Sequence, residues 1–217
     1  NCRKFGSYVC SGCFSYISFM EFSTCVICQR PAIGGRTHPL CKTRYTIDGV
    51  FPSLIYQGVV KKLVYNFKYP PYLKDLQPLL LDFFYEGLIQ KEAFCALQST
   101  KSVLVPIPLH STRMKWRGYN QSALLAQGMG KKMSVDVSDC LKRVKKTQTQ
   151  VGLSQAKRLE NIKDAFVLKK LFVTQKYSQV FLVDDVVTSG ATLREAAKVF
   201  KKAGVEKVWG ITLAHGE

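Results

Sequence analysis

Residues 180–192 read V-F-L-V-D-D-V-V-T-S-G-A-T, and they restrict the possible folds more than any other stretch of the chain. Four consecutive apolar residues mark a strand covered on both faces, as in parallel sheets flanked by helices. After the small-residue loop, Leu193, Ala196, Ala197 and Phe200 recur at helical spacing over Ala191–Ala203, and Gly204 supplies a C-cap. Thr188, Ser189, Gly190, Ala191 and Thr192 therefore place backbone N–H groups and three hydroxyls at a helix N-terminus, which is an anion cradle. The Gly-Lys-Ser/Thr of a Walker loop is absent. Asp184 and Asp185, side by side at the strand's end, suit a ligand bearing hydroxyls, a metal ion, or both. An acidic N-cap alone would need only one of them.

The chain from 48 to 217 alternates strand and helix patterns. Strands are expected at Val50–Tyr56, Ser102–Pro106, Gln179–Val183 and Val205–Leu213, with short ones at Leu141–Val144 and Ala165–Leu168. Helices are expected at Gly58–Tyr69, where Pro70-Pro71 ends the pattern, and at Leu76–Leu88 and Tyr119–Met133. Such alternation points to an α/β, mostly parallel sheet that binds ligands at the carboxyl ends of its strands.

Residues 1–47 are different. Six of the eight cysteines fall in the first 41 residues. Cys25-x-x-Cys28 followed by His38-x-x-Cys41 makes a complete Cys₃His set, one of the closed zinc sites, with Gly34-Gly35 letting the chain fold back. Reduced core cysteines beside a chance histidine are the alternative. Cys10-x-x-Cys13 has only Cys2 as an obvious third ligand. This first site is either one of two tandem knuckles whose remaining ligand precedes Asn1, or a degenerate one. One or two structural zinc ions are thus expected, with the metal supplying folding free energy to a head too small for a sizeable core. The aromatic residues of the head, Phe5, Tyr8, Phe14, Tyr16, Phe19 and Phe22, fit either its mini-core or a stacking surface for single-stranded nucleic acid. Cys95 and Cys140 read as apolar fillers.

The formal charge of +17 favours polyanionic partners, although a solubility role accounts for such a balance too. Nine Lys/Arg between Lys142 and Lys170 face two acids, suiting a mobile active-site flap, a track for a phosphate backbone or a solvated helix face. No stretch reaches the roughly 18 apolar residues of a membrane span, and no secretory signal is evident, so a cytoplasmic location is expected. The chain starts at Asn1 rather than Met, and an upstream segment is expected.

Residues 180–192 match the phosphoribosyl pyrophosphate (PRPP) signature of type I phosphoribosyltransferases. Pro106-Ile-Pro-Leu-His110 with Arg117-Gly-Tyr-Asn-Gln121 resembles the P-V-P-L-H…R-G-F-N-Q run of the ComF family. Thr147-x-x-Gln150-x-x-Leu153 leading to Arg158-x-x-Asn161-x-x-x-Ala165-Phe166, the cysteine head, and Leu63–Tyr69 ending in Lys68-Tyr69 extend the resemblance over essentially the whole chain. The resemblance implies a Rossmann-like phosphoribosyltransferase sheet with an N-terminal zinc-knuckle domain. It implies that Asp184 and Asp185 hold the ribose hydroxyls of PRPP, with magnesium near its pyrophosphate. The loop 188–192 would take the 5′-phosphate, and Arg113, Lys115 and Arg117 would lie on the pyrophosphate side. Lys68, Tyr69, Tyr119, Asn120, Gln121, Gln150, Arg158 and Asn161 belong to the family's motif positions. The family's association with natural transformation implies single-stranded DNA and a competence helicase as partners. Displacement of pyrophosphate from PRPP by an unknown acceptor, or in purine salvage, stays open beside a PRPP-binding role without catalysis. No dedicated general base or nucleobase hood is apparent.

Overall fold

A computed structural model describes residues 8–95, 101–147, 155–169 and 176–216. Its strands are β1 (Gly49–Ile55), β2 (Ser102–Pro106), β3 (Asp136–Val137), β4 (Leu141–Arg143), β5 (Phe166–Leu168), β6 (Gln179–Val187) and β7 (Lys207–His215). Its α-helices are α1 (Ser11–Phe14), α2 (Gly58–Lys68), α3 (Gln77–Ile89), α4 (Glu92–Cys95), α5 (Ser111–Arg117), α6 (Gln121–Met133), α7 (Gln155–Ile162) and α8 (Ala191–Lys202). Five strands form one parallel sheet in the order β1-β7-β6-β2-β3, and β4 and β5 pair antiparallel beside it. The fold is α/β, as the alternation requires.

The period-2 rule of a strand divides the core. Phe181 and Val183 of β6 join α2, α3 and α6 in one apolar cluster. Val180 and Leu182 join α8 in another on the opposite face. The unbroken V-F-L-V run is therefore needed, because a polar residue at any of its positions would face one of these clusters. β2 and β6 are neighbours, yet the helix α6 after β2 and the helix α8 after β6 cover opposite faces. Their carboxyl ends consequently diverge and open a crevice at a topological switch point.

Two strands run further than their apolar patterns show. β6 continues through Asp184 and Asp185 to Val187, held by β7 as far as His215. Backbone pairing with a neighbour, which sequence periodicity cannot reveal, keeps the two acids in extended conformation. Pairing with β2 stops at Val183, apart from the Ile107 N–H donating to its carbonyl, so one side of β6 is open next to the acids. Helix α5 was not expected from the sequence. It buries none of its side chains and so leaves no apolar periodicity to read.

The cysteine head lies against the sheet. Phe19 forms an antiparallel bridge with Leu54 and Arg36 with Gly49, which cover the free edge of β1. Asp48 fixes the junction. Its carboxylate accepts from the Val208 N–H at 2.8 Å and pairs with Lys201 at 2.7 Å. Val26 and Ile47 of the head are buried in the α8-side cluster. Among the described residues, no helix is long and apolar enough to cross a membrane.

Candidate functional site

The crevice is a cleft of about 320 Å³, walled by Asp184, Asp185, Lys68, Ser122, Arg113 and Arg143 among others. That size is at the lower end of small-ligand pockets. Asp185, at the floor, accepts from Lys68 Nζ at 2.8 Å, and its other oxygen is buried with no hydrogen-bond partner. Asp184 accepts from Ser122 Oγ and from the Asp185 N–H, both at 2.9 Å. Burial and the neighbouring Asp185 carboxylate raise the Asp184 pKa to about 7, against the opposing pull of Lys68 and the two donors. Burial lowers the Lys68 pKa, but the two carboxylates outweigh it and the net shift is upward.

Beyond the acids, Gly190 adopts φ 69° and starts α8. Arg158 of α7 donates to Thr188 Oγ1 at 2.9 Å, tying α7 to the loop. Ser189 Oγ and Arg158 Nε are buried without partners, and Thr192 lines the cleft. An unsatisfied buried hydroxyl and guanidinium nitrogen carry a desolvation cost that a bound anion would remove.

The opposite wall is basic. Arg113 donates to the Thr147 carbonyl at 3.1 Å, and Arg143 donates to the Thr147 hydroxyl. Arg143 is 8% exposed, stacks 5.6 Å from the Phe166 ring centroid, and leaves its Nε without a partner. Burial, and then the charge of Arg113, lowers its pKa to about 10 despite Asp184. Two guanidiniums held within each other's field beside a single carboxylate suit a multiply charged anion. At the mouth, Arg117 lies 5.6 Å from the Tyr69 ring centroid, and Tyr72 and the largely exposed Trp116 complete an aromatic rim.

The metal cluster is compact. The ligand atoms of Cys25, Cys28, His38 and Cys41 all lie within 4.8 Å of one another. A tetrahedral ion with Zn–S bonds near 2.3 Å puts its sulfurs about 3.8 Å apart, so the set fits zinc. His38 Nε2 is 3.0 Å from the Pro31 carbonyl, and its Nδ1 faces Cys28 Sγ at 3.3 Å. Nε2–H donating to that carbonyl leaves Nδ1 as the coordinating nitrogen. Burial raises the Cys25 thiol, but backbone donors from Cys28, His38 and Ile27 hold it down at about 7. Burial and the adjoining thiols push Cys41 up to about 11. Crowded sulfurs pushed apart in this way are relieved when a dication takes their negative charge.

Asp184, Asp185, Thr192, Arg113, Arg117, Lys68, Tyr69 and Gln121 are thus brought together around one cleft. Thr188, Ser189, Gly190 and Ala191 form the adjoining loop. Tyr119 and Asn120 stand behind the wall. The Tyr119 hydroxyl donates to the Phe67 carbonyl, and Asn120 donates to the Ile107 carbonyl at 3.0 Å. Asn161 is part-buried on α7. Lys115 is exposed and not among the residues lining the cleft. Cys2 and Gln150 lie outside the described residues, while Cys10 and Cys13 share the turn that opens α1, with Cys13 buried. Cys140 is buried as a filler should be, but Cys95 is exposed. The head's aromatics divide. Phe19 packs on the core, whereas Tyr8, Phe14, Tyr16 and Phe22 are exposed, Phe14 with its ring 5.8 Å from Phe83, and Phe5 lies outside the described residues.

Ser122, Arg143 and Trp116 were not singled out in the sequence. Ser122 follows directly on the R-G-Y-N-Q run, which was the available signal. Arg143 is one of nine basic residues in its segment, and only its burial beside Arg113 and Asp184 in the fold distinguishes it.

A phosphoribosyl transferase domain model matches residues 120–216. The chain is similar to Competence protein F of Haemophilus influenzae, 43% identical over 114 residues, which is 51% of this chain and 50% of that protein. It is 35% identical to DNA utilization protein YhgH of Escherichia coli K12 over 106 residues, 48% of this chain and 45% of that one. Competence protein ComFC of Bacillus subtilis is 26% identical over 212 residues, 90% of this chain and 79% of that one. The chain spans about half the length of the first two relatives. The chain is thus similar to competence proteins of the F and ComFC kind, and it carries a phosphoribosyltransferase-like domain over residues 120–216 on a parallel sheet.

Proposed function

We propose that the chain binds PRPP with magnesium in the crevice, binds single-stranded DNA beside it, and acts in DNA uptake. The observation that carries this reading is the meeting of paired carboxylates and the Arg113–Arg143 wall in one cleft that Thr192 also lines, with the rest of the loop 188–192 and its unsatisfied Ser189 hydroxyl following directly on the acids. In this reading Asp184 and Asp185 hold the ribose hydroxyls, the loop 188–192 takes the 5′-phosphate, and Arg113 and Arg143 face the pyrophosphate. Magnesium would supply charge neutralisation at the pyrophosphate, and Asp184 and Asp185, the carboxylates lining the cleft, would be available to hold it. Structural zinc at Cys25, Cys28, His38 and Cys41 holds the head.

For DNA, Lys142, Lys145, Lys146, Lys157, Lys163 and Lys169 are exposed on β4, α7 and the connections around them, the segment that also carries Arg143 of the cleft's wall. A phosphate backbone laid along that face would bring bases toward Trp116 and Tyr69, which suit stacking. The names Competence protein F and DNA utilization protein support a role in handling DNA. A second reading, transfer of the ribosyl phosphate to an acceptor, is favoured by the same aromatic rim, since a planar acceptor would stack there above the sugar. The chain would then contribute positioning and stabilisation of the departing pyrophosphate.

Calorimetric titration with PRPP and magnesium tests the site, and fluorescence anisotropy with a labelled single-stranded oligonucleotide over a range of salt tests the DNA track. Asp184→Asn/Asp185→Asn should abolish the PRPP signal and leave DNA affinity and its salt slope intact. Absence of PRPP binding by the native chain would sink the site reading. DNA affinity indifferent to salt would sink the track.

A further inference from the structure

Val26 stands between the metal ligands Cys25 and Cys28 and is 3% exposed. It reaches across to the anion loop. A Cβ added to Gly190 would meet Val26 Cγ2 at 2.0 Å, and φ 69° at Gly190 already disfavours a side chain. The knuckle therefore fills the notch that glycine leaves at the start of α8. Val26 also packs in one apolar cluster with Val187 and Ala191, the residues flanking the turn 188–190. Thr24, Val26 and Gln29 of the head face Val187 and Thr188 around a small cavity of about 10 Å³, so almost no free space separates knuckle from loop. Ile27 lines a second cavity together with Ala191 and Arg194 of α8, and Arg194 lies in the field of the Cys25 thiolate. The Gly216 N–H also donates to the Val187 carbonyl at 2.8 Å, so the knuckle shares this side of the loop with the end of β7. Ser189 Oγ has no partner, and Thr188 is held by Arg158 from the far side.

We infer that Val26 is a positioning residue through which the metal-bound knuckle fixes the conformation of the anion loop 188–192. An ion at Cys25 and Cys28 sets where the Val26 side chain stands, and the dense packing against Gly190 passes that position to the loop. Withdrawing the ion or the side chain removes the wall against which the loop is held. The ligand consequence rests on the PRPP reading above, whereas the link from knuckle to loop does not.

Hydrogen exchange by mass spectrometry on the full zinc-loaded chain tests it, with metal content measured alongside. Val26→Ala should keep its zinc and raise exchange of peptides spanning 186–194 by about fivefold or more, the low end of coupling between sites. Peptides from α6 should not change. Gly190→Ala should loosen both knuckle and loop. Val26→Ala/Gly190→Ala should recover part of that loss, because the added methyl takes space the smaller side chain vacates. Were Val26→Ala not to fold, chelation of zinc from the native chain should raise exchange over the same peptides. Exchange over 186–194 unchanged by Val26→Ala with zinc retained, or by chelation, would overturn the inference, as would strictly additive effects in the double variant. Native chain that shows this exchange coupling yet binds no PRPP would refute the ligand reading and leave the positioning role standing.

Discussion

Lys68 Nζ sits 2.8 Å from Asp185 Oδ1, tying the last residue of α2 to a strand 117 residues further along the chain. Asp185 is 3% exposed at its side chain and Lys68 25%. Two elements with no local connection are thus joined at the floor of the cleft, and the aspartate's second oxygen is left facing inward without a partner.

Lys68→Met should therefore be the costlier of the two single changes at this pair. It leaves a carboxylate at a buried position with no counter-charge. Breaking such a pair costs about 3–5 kcal/mol when both groups are buried, and the quarter-exposed lysine brings this down to about 2 kcal/mol. At this chain length the melting temperature should fall by about 4–8 °C. Lys68→Met/Asp185→Asn should recover most of the loss, because the carboxylate that Lys68 pairs directly no longer carries a charge. Thermal denaturation of both variants checks this, and a double variant no more stable than Lys68→Met would contradict it.

Asp184 gives the chain a stability that falls with pH. Its folded pKa of about 7 lies above the ordinary value of 3.8, so the folded state holds the proton more tightly than the unfolded one. The stabilisation is complete below 3.8 and is lost as pH rises through about 7. Asp184→Asn removes this dependence. Its melting temperature relative to the native chain should be lowest near pH 4 and should rise by several degrees by pH 8. A difference that stays flat across this range would show that the carboxyl titrates normally.

Much of this site was legible before the fold was known, and the boundary has a physical reason. The acids, the loop and the cysteines are read by spacing along one segment, and spacing survives into structure when the segment is a single strand, turn or knuckle. Lys68 was marked only as a motif position. Its partner lies across the fold, so nothing local announces the ion pair. Arg143 was hidden for a related reason, since a charged residue gives the same signal on a solvated hairpin and in a cleft wall. The end of β6 is not legible in the sequence, because the apolar pattern breaks at Asp184 while β7 continues to pair with the backbone. Lys115, which the family resemblance puts beside Arg113 and Arg117, is exposed on α5 and does not line the cleft.

Metal in the head should depend on the Cys₃His set alone for one ion. Cys28→Ser should lower bound zinc by about one ion per chain, and Cys140→Ser, at a buried position away from the cluster, should leave it unchanged. His38→Ala should act like Cys28→Ser, since its ring is already oriented by the Pro31 carbonyl for coordination through Nδ1. Elemental analysis of purified variants reads the stoichiometry directly. Equal zinc in Cys28→Ser and the native chain would remove the cluster from consideration as the metal site.

Arg143 should show the opposite relation between stability and binding from Lys68. Its guanidinium is buried, stands in the field of Arg113, and has a nitrogen without a partner, all of which burden the ligand-free chain. With a pKa of about 10 it still carries its charge at neutral pH. Arg143→Met keeps the apolar stem against Phe166 and removes the charge, so the melting temperature should hold or rise. Pyrophosphate affinity should fall by about 10- to 100-fold, because a hydrogen bond to a charged group is worth about 1.5–3 kcal/mol and each 1.4 kcal/mol is a factor of ten. Lys115→Ala should change that affinity by less than about twofold at physiological salt, since an exposed charge outside the cleft is largely screened. Calorimetry with pyrophosphate, beside thermal melts, separates the two residues. If Arg143→Met lost stability and kept its affinity, Arg143 would be a strut of the β4–β5 pair, and the basic wall of the cleft would rest on Arg113 and Arg117.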